Sequence, residues 1–219
     1  MTGTATVTRV TLLVNNPEAW VRPLAKNFVA SLPERYRPSY VEQTAEVPEG
    51  DVAFFLGCSR IVPPEVLRRN RHNLVVHGSD LPRGRGSSPI PWQVLEGRNR
   101  IPIVLFEAVE ALDAGPVYFR DVIELDGTEL LDEIHRKTWD RTEALIARFL
   151  ERYPDVTATP QEGSPSEYRK RTAADDELDP RQPLEALFDH LRIVDNDRYP
   201  AWFRHRGQKY ILKISKDGK

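Results

Sequence analysis

A chain of 219 residues, 40% apolar and 29% charged, can bury a sizeable core and has the make-up of a globular protein. Its net charge of −2 excludes a general nucleic-acid binder, which needs a clear basic excess to neutralise phosphates. A single cysteine, Cys58, leaves no internal disulfide and no cysteine-based zinc site.

The N-terminal MTGTATVTRVTLLVNN lacks the order of a signal peptide. No apolar run reaches the ~20 residues needed to span a bilayer. A cytoplasmic protein without membrane or nucleic-acid partners is expected.

In chain order, the β-branched run Val7 to Val14 predicts a buried first strand. Asn16 with Pro17 and Glu18 predicts a helix start, and Trp20, Leu24 and Phe28 then share one face. A short strand is expected around Ser39 to Glu42. DVAFFLGC (Asp51 to Cys58) is apolar on both faces, as in a parallel strand covered by helices. A short helix after two prolines and a strand Asn73 to His77 follow.

Ser88-Pro89 predicts a helix through Trp92, Val94 and Leu95, stopped by Gly97. IPIVLFEA and PVYFRDVIEL read as strands joined by the turn VEALDAG. A long helix then runs from Thr128 to about Tyr153. This alternation predicts an α/β domain with a mainly parallel sheet over residues 1–155. Residues 156–183 are polar, charged and without periodicity, and read as a connector with no regular structure. Residues 184–219 supply a helix (Leu184, Leu187, Phe188, Leu191) and a hairpin turning at Arg206-Gly207. This tail is too small to fold alone and is expected to dock on the core.

The stretch VVHGSDLPRGRGSSPIPWQVLEG (Val75 to Gly97) concentrates unusual residues behind one apolar strand. In open α/β sheets ligands bind beyond the carboxyl ends of strands, where His77 stands. Pro82, Gly84 and Gly86 demand special backbone there. A second turn, Leu112-Asp113-Ala114-Gly115, places a carboxylate beside small residues. A histidine and an aspartate on neighbouring strand ends suit a general base and its electrostatic partner.

These residues resemble the folate-dependent formyltransferase family, closest to its sugar-nucleotide N-formyltransferases. The family signature Asn-x-His-Pro-Ser-Leu-Leu-Pro-x-x-Arg-Gly is matched by His77, Ser79, Leu81, Pro82 and an Arg-Gly pair; Leu112 to Gly115 match its Leu-Asp-x-Gly turn. The likeness is good over about residues 50 to 125 and extends to the tail. It implies a Rossmann-like sheet with helices on both faces, a catalytic domain over 1–155, and N10-formyltetrahydrofolate as formyl donor.

It also implies His77 as general base and Asp113 as its partner. The pterin is expected near the loop LGCSRIVP, with Cys58, Ile61, Val62 and Gly78 in the cofactor set. Arg83 and Arg85 are expected to grip a phosphate or pyrophosphate. Trp92, Asn196 and Tyr199 complete the substrate set. The plainer reading of Ile61, Val62 and Cys58 is core packing, and of Asn196 and Tyr199 a seat for the tail.

One position departs from the family. Two residues before the histidine the family carries an asparagine that steadies the formyl oxygen, whereas this chain has Val75. Asn73 would lie ~13 Å from His77 along an extended strand. Either Ser79 or the N–H groups of Gly78-Ser79 then stabilise the developing charge, or the activity is reduced or altered.

The expected activity is formyl transfer to the primary amine of a nucleotide-linked amino sugar, such as a dTDP-4-amino-4,6-dideoxyhexose. A folate-dependent formyl hydrolase and a non-catalytic folate- or nucleotide-binding protein are the alternatives. A homodimer through the long helix or the tail hairpin is compatible with the sequence.

Overall fold

The computed structural model describes residues 7–217, so the reading of the first six residues as free of a signal sequence lies outside it. β1 (Thr8–Leu13) forms from the β-branched run, its last four residues buried. α1 spans Arg22–Ser31, five residues later than Pro17 would start it. The Asn16 side chain instead accepts the Glu18 N–H at 3.0 Å and closes a local turn. Pro23 supplies the rigid first turn of the helix.

β2 (Tyr36–Val41) and β3 (Gly50–Phe55) flank β1 in parallel. The short α2 (Pro64–Leu67) leads into β4 (Asn70–His77), parallel to β3. After a two-residue strand β5 (Arg85–Gly86) and α3 (Pro89–Leu95), β6 (Arg100–Glu107) and β7 (Val117–Glu124) close the sheet. The sheet order is β2-β1-β3-β4-β6-β7. β6 runs antiparallel to β4, and β7 antiparallel to β6. The sheet is thus mostly parallel with an antiparallel pair at one side.

Strand alternation splits the core into two faces. Val10, Leu12, Phe54, Leu74, Ile103 and Leu105 pack against α1, α3 and α4 (Leu131–Arg152). There Phe149 of α4 meets Phe54 edge-on at 6.1 Å. On the other face Leu13, Ala53 and Phe55 pack with Val62 and Val66, and Leu81, Phe106 and Val117 form a neighbouring cluster. His77 belongs to this second face, its ring 6.4 Å from that of Phe106.

The segment 156–183 departs from its expected lack of structure. Thr159 bridges Val117, β8 (Glu167–Tyr168) pairs in parallel with β5, and a 3-10 turn spans Ala173–Asp176. Its polar residues are short of periodicity because their partners are backbone groups of the core, not a buried stripe of their own. α5 (Leu184–Leu191) precedes the hairpin β9 (Ala201–His205) and β10 (Gln208–Leu212), whose turn residues Arg206 and Gly207 have φ of 47° and 80°, as a two-residue hairpin turn requires. Arg192 is fully buried and donates to Asn99 Oδ1 at 2.6 Å and Asp189 Oδ1 at 2.8 Å, with Glu129 Oε2 at 3.5 Å.

Among the described residues no helix is long and apolar enough to cross a membrane, and no cluster of three metal-ligating side chains occurs.

Candidate active site

The apolar alternation of β4 turns His77 onto the same face as Val75, at the strand's carboxyl end. The chain then turns through Gly78 to Gly86 and folds back over the ring. His77 Nε2 lies 2.8 Å from the Gly84 carbonyl. A carbonyl only accepts, so Nε2 carries a hydrogen and Nδ1 is the basic nitrogen of the neutral ring. Nδ1 faces the Asp113 carboxylate, 3.9 Å from Oδ2. That gap is too long for a direct hydrogen bond and leaves the pair in one electrostatic unit.

Asp113 does not reach His77 from a strand tip beside it. Because β6 is antiparallel to β4, the end of β6 lies opposite Leu74, and Val104 lies opposite His77. The loop 108–116 carries the carboxylate back to the imidazole. Asp113 itself has φ 49°, a left-handed conformation that aspartate tolerates better than most side chains. At Gly115 an added Cβ would stand 1.8 Å from the Glu107 carbonyl oxygen, so only glycine fits.

β5 joins the two groups. Gly84 O takes the imidazole N–H, and Gly86 N donates to Asp113 Oδ2 at 2.8 Å. On its opposite edge Arg85 N donates to Ser166 O at 2.9 Å and Ser87 N to Tyr168 O at 3.0 Å. Gly84 N also donates to Ser166 Oγ at 3.0 Å. Gln161 adds a third tie: its amide donates to Asp113 O and Gly115 O, both at 2.8 Å, and accepts from Arg85 Nη2 at 2.8 Å. Gln161, Ser166 and Tyr168 stand outside the site set expected from the sequence. The signal that pointed to them was the Gly84/Gly86 pair. A Cβ on Gly86 would lie 2.5 Å from Tyr168 O, and one on Gly84 would lie 2.8 Å from the Tyr168 ring.

Several expected roles change. Ser79 is buried and spends its hydroxyl hydrogen on Arg83 O at 2.8 Å, closing the loop rather than facing a ligand. Gly78 accepts from Gln93 Nε2 at 2.7 Å, and Ile90 presses where a side chain would begin. Val62 is turned into the core, whereas Ile61 is 64% exposed. Cys58 is partly covered and its thiol is pushed up to about 11 by burial, which suits packing rather than nucleophilic chemistry.

Arg85 is turned inward to Gln161 and its Nε is buried without a partner, so of the two arginines Arg83 is the exposed one. Trp92 donates its indole N–H to Arg169 O at 2.7 Å and lies under the Arg169 guanidinium. It fastens the segment 156–183 to α3. Asn196 clamps Ile214 through both its amide atoms, Nδ2 at 2.6 Å from Ile214 O and Oδ1 at 3.0 Å from Ile214 N. It lines a separate cleft with Trp20 and His135. Tyr199 is 60% exposed beside Arg198.

Val75, at the asparagine position, packs among Phe106, Leu81 and Val62 and brings no polar atom. Large apolar side chains remain uncovered on the loops after both strands that flank β4: Ile61 after β3, and Val109 and Leu112, 38% and 50% exposed, after β6. A flat heterocycle such as a pterin needs apolar cover of this kind, and the loop Gly57 to Ile61 adds backbone groups that could hold its polar edge. These residues could cover one face of a folate ring.

Residues 17–150 match the formyl transferase family. In fold the chain is similar to methionyl-tRNA formyltransferase from Clostridium thermocellum, with 20% identity, 96% of this chain and 94% of that chain covered, and a TM-score of 0.82. It is also similar to a likely sugar N-formyltransferase from Mycobacterium tuberculosis, with 18% identity, 97% and 99% coverage and a TM-score of 0.73. HypX from Aquifex aeolicus in complex with tetrahydrofolic acid matches at 18% identity and a TM-score of 0.78, over 95% of this chain and 38% of that one. At these identities the likeness establishes the fold. With more than half its length matched, the chain belongs to the formyl transferase family, enzymes that draw the formyl group from N10-formyltetrahydrofolate.

Proposed function

We propose that the protein transfers a formyl group to the primary amine of a nucleotide-linked amino sugar, with His77 as the base and Asp113 as its electrostatic partner. The observation that carries this reading is the imidazole whose Nε2–H is tied to Gly84 O while Nδ1 stands 3.9 Å from the Asp113 carboxylate. Bound formyl-folate supplies an activated one-carbon acyl group.

The chain's own work is to prepare the amine. An amine attacks only when unprotonated and must then shed a proton. Nδ1 is the one imidazole position open to accept it, and Asp113 stabilises the cation that results. The 3.9 Å gap suits that relay, because a carboxylate bonded directly to Nδ1 would need a hydrogen already there and leave no lone pair for the amine's proton. Arg83, exposed on the same loop, is the group offered to a substrate phosphate. Ile61, Val109 and Leu112 offer the apolar cover for the donor's ring system.

Two sugar N-formyltransferases share the fold over almost the whole of both chains; the methionyl-tRNA enzyme does so equally, and the net charge of −2 is what favours a small amine over a tRNA. Val75 favours a second reading, a formyl hydrolase, since a site without the family's amide is the one in which chemistry would be altered.

Incubation with formyl-folate and a panel of nucleotide-linked amino sugars, read by mass, separates the two. The expected result is one formylated sugar and no formate without an amine. Formate release at the same rate with or without an amine would replace transferase by hydrolase. Absence of any folate product from every mixture would end both.

A further inference from the structure

The hydrogen bonds that relate the His77 ring to the Asp113 carboxylate pass through β5 and its preceding Gly84, and the loop 108–116 carries the carboxylate. One side chain from outside both is bonded to both. Gln161 accepts from Arg85 Nη2 and donates to the carbonyls of Asp113 and Gly115, all at 2.8 Å. Arg85 is the residue between the carbonyl that holds the imidazole and the N–H that holds the carboxylate. Asp113 sits in left-handed backbone at φ 49°, a conformation that persists only where its surroundings over-determine it. The two Gln161 bonds fall on its own carbonyl and on that of Gly115, so they hold the turn from the side that the carboxylate does not use. A glutamine amide is matched to this task because it presents two donors and an acceptor at once.

We propose that Gln161 is a positioning residue of the formyl transfer reaction: it sets the separation between His77 Nδ1 and the Asp113 carboxylate while touching neither donor nor amine. The proposal rests on the function proposed above, and it predicts a specific signature. Loss of Gln161 frees the 113–115 turn, weakens the Gly86 N–H to Asp113 bond and misplaces the carboxylate. A displacement on the ångström scale costs roughly 100-fold in rate, and binding of either substrate is untouched.

Two variants and two readouts test it. Gln161→Ala removes all three bonds. Gln161→Glu keeps the shape and the acceptor for Arg85 but sets oxygens against two carbonyls. Amide hydrogen exchange at Gly86 reports the Asp113 bond directly, with Phe54 and Leu74 in the central sheet as the control for folding. In both variants Gly86 exchange is expected to rise at least ~10-fold with the controls unchanged. Formyl transfer should then lose roughly 10- to 100-fold in kcat, with KM for formyl-folate and for the amine within about threefold of wild type.

Unchanged Gly86 exchange, or a fall in activity expressed in KM, would overturn the proposal. So would faster Gly86 exchange with wild-type kcat. If the wild-type protein formylates no amine, the functional reading fails by itself, and the Gly86 arm alone then decides whether Gln161 holds the Asp113 turn.

Discussion

Asp113 combines a demanding backbone with the charge proposed to support His77. Asparagine tolerates left-handed backbone as aspartate does and can still accept from Gly86 N–H, so Asp113→Asn isolates the charge. We expect its melting temperature to stay within a few degrees of wild type, while turnover falls by at least about 100-fold. Thermal melts beside steady-state rates check this; a large loss of stability would show that the negative charge itself holds the turn. At Gly115 the order is reversed. A Cβ there meets Glu107 O at 1.8 Å, so Gly115→Ala must move the backbone of the β6–β7 loop. Strain of that kind typically costs about 1–3 kcal/mol, and the loss would appear as a lowered denaturation midpoint together with lost activity.

At the scale of elements, most of the sheet was legible because each strand carries its own signal. The β-branched β1, the doubly apolar β3 and the strand ending in His77 all read directly from local pattern. The Asp113 turn was legible too, as a short sequence next to a strand. Two things were not. The antiparallel direction of β6 relative to β4 leaves no local mark, since both read as apolar strands; this is why Asp113 was expected at an adjacent strand tip. The segment 156–183 was read as lacking structure because Gln161, Ser166 and Tyr168 order it through bonds to backbone 46 to 84 residues away, and such partners produce no periodicity.

The α1 start shows the same limit at short range. Asn16 had the right chemistry for a cap and used it for a turn instead. The joint between α5 and the rest of the chain offers an element-scale test. Arg192 is buried with Glu129, Asn99 and Asp189 as partners. Arg192→Ala removes the buried guanidinium that joins these partners, while Lys137 still pairs Glu129, and should cost about 2–3 kcal/mol, read by urea denaturation. A cost below about 1 kcal/mol would mean that the tail contributes little to the stability of the fold.

For the whole molecule, the half-buried His135 and the buried Glu129 contribute to the response to acid. Burial under the stacked Trp20 ring, 4.3 Å from centroid to centroid, lowers the His135 imidazole from 6.5 to about 4. The folded state holds this ring neutral while the unfolded chain protonates it. Its contribution to stability is therefore complete above pH 6.5 and is lost as pH falls from there toward 4. At Glu129 burial pushes the carboxyl up, but the Lys137 ammonium and the N–H groups of Asp126 and Gly127 outweigh it and leave it below its ordinary 4.5. That stabilisation is present above pH 4.5 and is lost further down. Melting temperature should thus decline in two stages on acidification, and His135→Phe, which preserves the stack, should remove the first. An unchanged first stage in that variant would place the titrating group elsewhere.

Formyl transfer by this chain is proposed to run through the imidazole of His77 and the carboxylate of Asp113. The measurement that tests it most directly is turnover by His77→Ala and Asp113→Asn beside the wild-type protein, with formyl-folate and the amine that the wild type accepts. Each variant should retain native hydrogen-exchange protection in the central sheet and lose at least about 100-fold in kcat. Near-wild-type rates in both would show that formyl transfer by this chain does not depend on the pair held by β5.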